Sequence, residues 1–168
     1  VSHASCPVVV VREDNHVTES TKYGPVVVGV DGSEVSQKAT AYAFREAQAR
    51  GAALIAVHTW MDMQVQASLA GLSAAQSEWA DIEKEQSELL AENLKEPREE
   101  YPDVEVKQLI TRDRPVSALT EAAEGAQLLV VGSHGRGGFK GMLLGSTSRA
   151  LLQSAPCPMM VVRPDDEG

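Results

Sequence analysis

The sequence predicts an α/β protein: a five-stranded parallel sheet, doubly wound, with helices on both faces in three layers. Three observations carry this. Valine-rich runs, apolar at every position, alternate with helical periodicities along the chain. Such runs suit strands buried on both faces. The resulting β-α-β-α-β-α-β-α-β order requires right-handed crossovers. The unusual residues fall at strand carboxyl ends, where such sheets bind ligands.

The first strand is residues 25–31, PVVVGVD, ending in Asp31. Residues 33–50 form a helix, with Ser33 as N-cap, Ala39, Ala43 and Ala47 on one face, and Gly51 as the stop. Residues 53–60, ALIAVHTW, are the second strand. Residues 61–75 are a loop of small residues, to which no role is assigned. A long acidic helix follows over 76–100. Trp79, Ile82, Leu89, Leu90 and Leu94 mark its inner stripe; Asp81, Glu85, Glu88 and Glu92 form a solvated face. Residues 104–111 alternate as a strand. Pro115 opens a helix that Gly125 ends. Residues 127–133, QLLVVGS, are a buried strand, a glycine-rich loop and a helix over 146–154 follow, and 157–163, CPMMVVR, is the last strand.

Residues 1–24 stand outside this scheme. HASCPVVVVRED, residues 3–14, aligns with SAPCPMMVVRPD, residues 154–165. Ala, Cys-Pro, Val-Val-Arg and Asp coincide. The start therefore reads as the last strand of a preceding copy of the domain, joined by a linker to the domain proper at 25–168. The absence of an initiating Met fits a chain cut from a longer tandem protein. An orphan strand must pair with a sheet edge, of its own chain or of another.

The bulk numbers exclude several classes. The 168 residues carry 24 acidic and 15 basic side chains, a formal charge of -9. That argues against broad nucleic-acid binding. No apolar run reaches the roughly 18 residues of a membrane span, and nothing resembles a signal peptide. Two cysteines, Cys6 and Cys157, make no disulfide framework, so a reduced cytoplasmic protein is expected. Both read as buried strand residues rather than nucleophiles. Met159 and Met160 read as core or dimer-seam residues. His58 lacks partners at metal-ligand spacing, so no metal site is expected.

The glycine loop, VVGSHGRGGFKGMLLGSTS, carries the chemistry. It is no Walker loop, since Gly-Lys-Ser/Thr is absent. A dinucleotide pattern started at Gly135 meets Lys140 where its last glycine belongs. What remains is Gly132-x2-Gly135-x9-Gly145-Ser146. Gly132 lets a ligand approach the strand end. Gly135 and Gly137 permit positive φ, so successive N–H groups can form an anion nest. Gly145, Ser146 and Thr147 open a helix with free N–H groups, hydroxyls and the positive dipole end. Arg136 and Lys140 add positive charge. Plainer readings stand beside these: Asp31 or Ser146 as helix caps, His134 in a structural hydrogen bond, Arg136 as a solvated loop residue.

With these residues the sequence resembles the universal stress proteins. Their ATP-binding members carry G-x2-G-x9-G-[ST], matched at Gly132, Gly135, Gly145 and Ser146. VVVGVDGSEVSQKA, VHTW, SHGRGG and SAPCPMMVVRP resemble further family stretches, and the start resembles tandem-domain bacterial members. The resemblance implies the adenine nucleotide alpha hydrolase-like sheet of order 3-2-1-4-5 and a homodimer through the last strand. It implies ATP in the crevice, with Mg left open. By position, Gly29 lies against base or sugar, and Asp31 meets ribose, base or metal. Thr59 contacts adenine through its backbone. Gly132, Ser133, His134, Gly135, Arg136 and Gly137, with Gly145, Ser146, Thr147 and Ser148, enclose the phosphates. The expected function is a nucleotide-dependent stress or dormancy module with at most slow hydrolysis. The alternatives are an ATP-hydrolysing or adenylyl-transferring enzyme of this fold, or an interaction module with an empty crevice. Expected partners are adenine nucleotide and a sister domain, not nucleic acid or membrane.

Overall fold

A computed structural model describes residues 4, 6–13, 15, 18–60, 76–135 and 144–164. The elements are β1 (Val8–Val10), α1 (Glu19–Lys22), β2 (Val26–Gly29), α2 (Glu34–Arg50), β3 (Leu54–Thr59), α3 (Gln76–Glu100), β4 (Val106–Thr111), α4 (Pro115–Ala122), β5 (Leu128–Gly132), α5 (Ser146–Ser154) and β6 (Met159–Val162). They build one sheet of order β1-β6-β5-β2-β3-β4. β2 through β6 are mutually parallel, in the order expected for the five-strand core. The sheet has six strands rather than the expected five, because β1 adds antiparallel to β6. An edge strand exposes a row of backbone groups that invites a partner, and β1 satisfies those of β6.

The valine runs do what their composition requires. Val26, Val27 and Val28 are wholly buried at the sheet's centre, each contributing about 1.5–3 kcal/mol of burial. Val26 and Val28 face α2 and α3, together with Ala39, Ala43, Phe44, Leu90 and Leu94. Val27 faces α4 and α5, together with Leu119, Leu129 and Leu151. Met160 joins the first core and Met159 the second. Along α3 Leu90 and Leu94 are buried as expected, Ile82 and Leu89 are half-buried, and the Trp79 side chain lies outside the described residues.

The caps follow the sequence. Ser33 Oγ accepts from the Ser36 N–H, and Gly51 closes α2 in the left-handed region at φ 60°. Pro115 opens α4. Gly145, not Ser146, is the N-cap of α5.

The β1–β6 register carries information. Val8 pairs with Val161, Val9 with Met160 and Val10 with Met159. In the internal repeat Val9 is the counterpart of Met160. The ladder is therefore symmetric under the repeat, with a local two-fold axis through the Val9–Met160 pair.

The cysteines differ. Each cysteine stands two residues before its strand; Cys157 is buried as expected, in the core under α4 and α5, but Cys6 is exposed. Burial pushes the Cys157 thiol up to about 11, and a protonated, enclosed thiol is inert. At pH 8 a thiol reagent is expected to modify Cys6 in the native protein, and Cys157 only after unfolding. A raised folded pKa gives stability that is intact below the unperturbed value of 9.0 and is lost as pH rises toward the folded one. Urea titrations are expected to show stability falling from pH 9 to 11, and Cys157→Ala is expected to remove that component.

Candidate functional site

β2 and β5 are neighbours at the sheet's centre. The chain leaves β2 for α2 on one face and leaves β5 for α5 on the other. Their loops part at the carboxyl ends and open a crevice, as doubly wound sheets do where strand order reverses.

On the β2 side, residues 31–33 form a tight turn. The Ser33 N–H donates to Asp31 Oδ1 at 2.8 Å. The Asp31 and Gly32 N–H groups both donate to Ser36 Oγ at 3.2 Å. These two amides are satisfied internally. Asp31 is not the cap of α2, a role Ser33 takes. Its other oxygen, Oδ2, points across the crevice at Gly135: a Cβ built on Gly135 would overlap it. A side chain at 135 would have to displace that carboxylate. The expected positive φ at Gly135 is not found; the positive-φ glycines described are Gly32, Gly51 and Gly125. Gly137 and Arg136, with Lys140, lie outside the described residues.

On the β5 side, Ser133 ties the ends of the glycine loop together. Its N–H donates to the Val162 carbonyl, and its carbonyl accepts from the Gly145 N–H, both at 2.7 Å. Its hydroxyl lies 3.0 Å from His134 Nδ1. Ser148, buried, donates to the Gly132 carbonyl at 2.7 Å. Both hydroxyls were expected at the phosphates; that of Ser148 holds α5 to β5, and that of Ser133 lies against its neighbour His134. A Cβ on Gly132 would press on Val35, and one on Gly145 on His134, so the loop is packed as well as hydrogen-bonded. α5 begins with no side chain capping it, and the N–H groups of its first turn have no intrahelical acceptor. Ser146 is exposed and Thr147 half-buried there.

β3 closes the crevice from the other side. The Val30 N–H donates to the Val57 carbonyl at 2.8 Å, whereas the Trp60 N–H donates to Thr111 on β4. Strand alternation then aims the backbone of Thr59 past the end of β2, into the crevice. A Cβ on Gly29 would meet Leu119, so Gly29 opens toward α4 and offers the crevice only backbone.

One constellation escapes sequence reasoning. His58 is buried; its Nδ1 lies 2.7 Å from the Val30 carbonyl and its Nε2 2.9 Å from Gln86 Oε1. A carbonyl only accepts, so Nδ1 carries the proton, and in the neutral ring Nε2 accepts from the Gln86 amide turned to present its NH₂. His58 is thus a packed strut, as expected, holding the backbone beside Asp31. Gln86 was missed because a lone glutamine on an acidic helix gives no apolar signal.

Among the described residues no three His, Cys, Asp or Glu side chains cluster to hold a metal. None of the described helices is long and apolar enough to cross a membrane.

The sequence model of the Universal stress protein family matches residues 22–163. The chain belongs to the universal stress protein family. It is 47% identical over 163 residues to a universal stress protein of Mycobacterium tuberculosis, which covers 97% of this chain and 53% of the relative. The chain thus spans about half the length of such relatives. Among solved structures, a universal stress protein in complex with cAMP is 27% identical, with a TM-score of 0.57, covering 83% of this chain and 96% of that one. The Archaeoglobus fulgidus universal stress protein in complex with dAMP shares the fold at 23% identity and a TM-score of 0.59, covering 83% and 98%.

Ser148→Ala is expected to leave the Gly132 carbonyl unsatisfied in this universal stress protein, at a cost of about 1–3 kcal/mol. Urea unfolding of the variant measures it.

Proposed function

We propose that this universal stress protein chain is an ATP-binding module that signals nucleotide state in stress or dormancy within the cytoplasm, and does not turn ATP over rapidly. The observation that carries the reading is the meeting of Gly135 with Asp31 across the switch point. It brings the family's spaced glycines and the acidic end of β2 to one rim. A relative at 27% identity holds cAMP, which supports an adenine nucleotide here.

In this reading the N–H groups of Gly135, Ser146 and Thr147, with the hydroxyls of the latter two and the loop through Arg136 and Gly137, take the phosphates. Hydrogen bonds to a charged group contribute about 1.5–3 kcal/mol each, so four or five outweigh the ordering of the loop. Gly132, Ser133, His134, Gly145 and Ser148 hold that surface in place. Thr59 offers backbone to adenine and Gly29 lies beneath the sugar. Asp31 Oδ2 accepts from a ribose hydroxyl or the adenine amine, or ligates a Mg ion carried by the triphosphate. The regulatory reading is favoured over an enzymatic one by the engaged state of the buried base: both His58 nitrogens have partners. That leaves Asp31 as the carboxylate at the described rim.

We further propose that β1 stands where a sister domain of the same type would pair. Val9 and Val11 are 48% and 66% exposed, while their repeat counterparts Met160 and Val162, under α2, are 6% and 0%. The α2 of a preceding copy would cover them. A homodimer through β6 would compete with β1 for the same edge.

ATP is expected to bind the apo protein with a measurable heat and turnover below about 1 s⁻¹, the low end of enzymatic rates. Gly135→Val is expected to abolish that binding while circular dichroism and Tm stay near wild type. Unchanged affinity in the variant refutes the phosphate assignment; faster turnover moves the reading to an enzyme.

A further inference from the structure

The segment that carries β1 makes a second set of contacts, away from the ladder. Arg12 Nη1 donates to the Gln153 carbonyl, and Asn15 Nδ2 donates to the Ala155 carbonyl at 3.5 Å. Gln153 lies in the last turn of α5 and Ala155 is its C-cap. Carbonyls there have no intrahelical partner and form the negative end of the helix dipole. α5 has no basic residue of its own in that turn. Its charge complement therefore comes from Arg12, 141 residues away in sequence. Arg12 is in turn fixed: its N–H donates to Asn15 Oδ1 at 2.9 Å, and the Asn15 N–H returns to the Arg12 carbonyl at 3.1 Å.

The other end of the same helix is the phosphate rim. Nine residues of helix span about 13 Å. The helix between is stiffly seated, with Leu151 wholly buried and Ser148 bonded to the end of β5. The repeat is visible here too. Arg163, the counterpart of Arg12, donates from Nη1 to the carbonyl of Ala4 at 3.1 Å, and Ala4 is the counterpart of Ala155. Both arginines cross the ladder, Arg163 to Ala4 and Arg12 to Gln153, two residues before Ala155.

We propose that Arg12, with Asn15, is a positioning residue for the phosphate-binding helix, so that docking of the N-terminal segment and binding of nucleotide strengthen each other. The proposal rests on the nucleotide reading above. A cation at the C-terminal end and an anion at the N-terminal end favour the same seating of one helix. Coupling between two sites is reciprocal: whatever factor docking adds to nucleotide affinity, nucleotide adds to docking. In a tandem protein the preceding unit would thereby sense occupancy of this one.

Two measurements on the full chain test it: ATP titration calorimetry of wild type, Arg12→Ala and Arg12→Lys, and amide hydrogen exchange of residues 8–10 with and without ATP. Arg12→Ala is expected to weaken ATP about 3–10-fold, a helix-terminus effect, with Arg12→Lys recovering most of it. ATP is expected to slow exchange of the β1 amides in wild type by a similar factor. ATP affinity unchanged in Arg12→Ala, with wild type binding normally, overturns the coupling alone. No binding of ATP by wild type overturns the nucleotide reading and the coupling with it. Should Arg12→Ala unfold, the wild-type exchange decides, and β1 amides indifferent to ATP overturn the proposal.

Discussion

The rim of this molecule depends on one constraint: β2 and β5 are adjacent, and the chain leaves them toward opposite faces. No single strand end makes a crevice. Two diverging connections do, and the gap between them is set by how closely they approach. Here the approach is close enough that a side chain at 135 would have to displace the Asp31 carboxylate. The hydrogen bonds through Ser133 and Ser148 then fix the β5 side to the sheet, and those through Ser36 fix the turn after β2 to α2. A rim held by so many internal bonds is preorganised, and a ligand that uses it does not bear the cost of ordering these residues.

Much of this was legible in the sequence. Buried parallel strands announce themselves as continuous valine runs, and Ser33, Gly51 and Pro115 mark helix ends by their own local chemistry. The order of the parallel strands followed from the family resemblance, and the spaced glycines pointed to the right rim. The rest depends on contacts distant in sequence. The crowding at 135 is steric and comes from Asp31, so no local dihedral argument finds it. Gln86 matters because His58 lies opposite, and the sequence does not display that pairing. Ser148 has the residue type of a phosphate donor, yet a tertiary acceptor, the Gly132 carbonyl, claims it first. Cys6 shares a Cys-Pro step with Cys157 but not its surroundings.

The N-terminal segment shows the same interplay at the sheet's edge. Residues 3–14 resemble residues 154–165, and the structure turns that resemblance into a symmetric antiparallel ladder centred on Val9 and Met160. Strands that present the same face to each other pair symmetrically, and both arginines reach across the ladder. The edge of β6 is thereby closed, while the outward side of Val9 and Val11 stays exposed. The proposed nucleotide crevice and this seam lie at the two ends of α5.

The central claim is that main-chain amides at the β5–α5 rim wrap a nucleotide's phosphates. Following backbone amide resonances during an ATP titration tests it most directly. The N–H signals of Gly135, Ser146 and Thr147 are expected to move together and saturate with a single dissociation constant. Those three signals standing still while ATP shifts resonances elsewhere in the chain would contradict it.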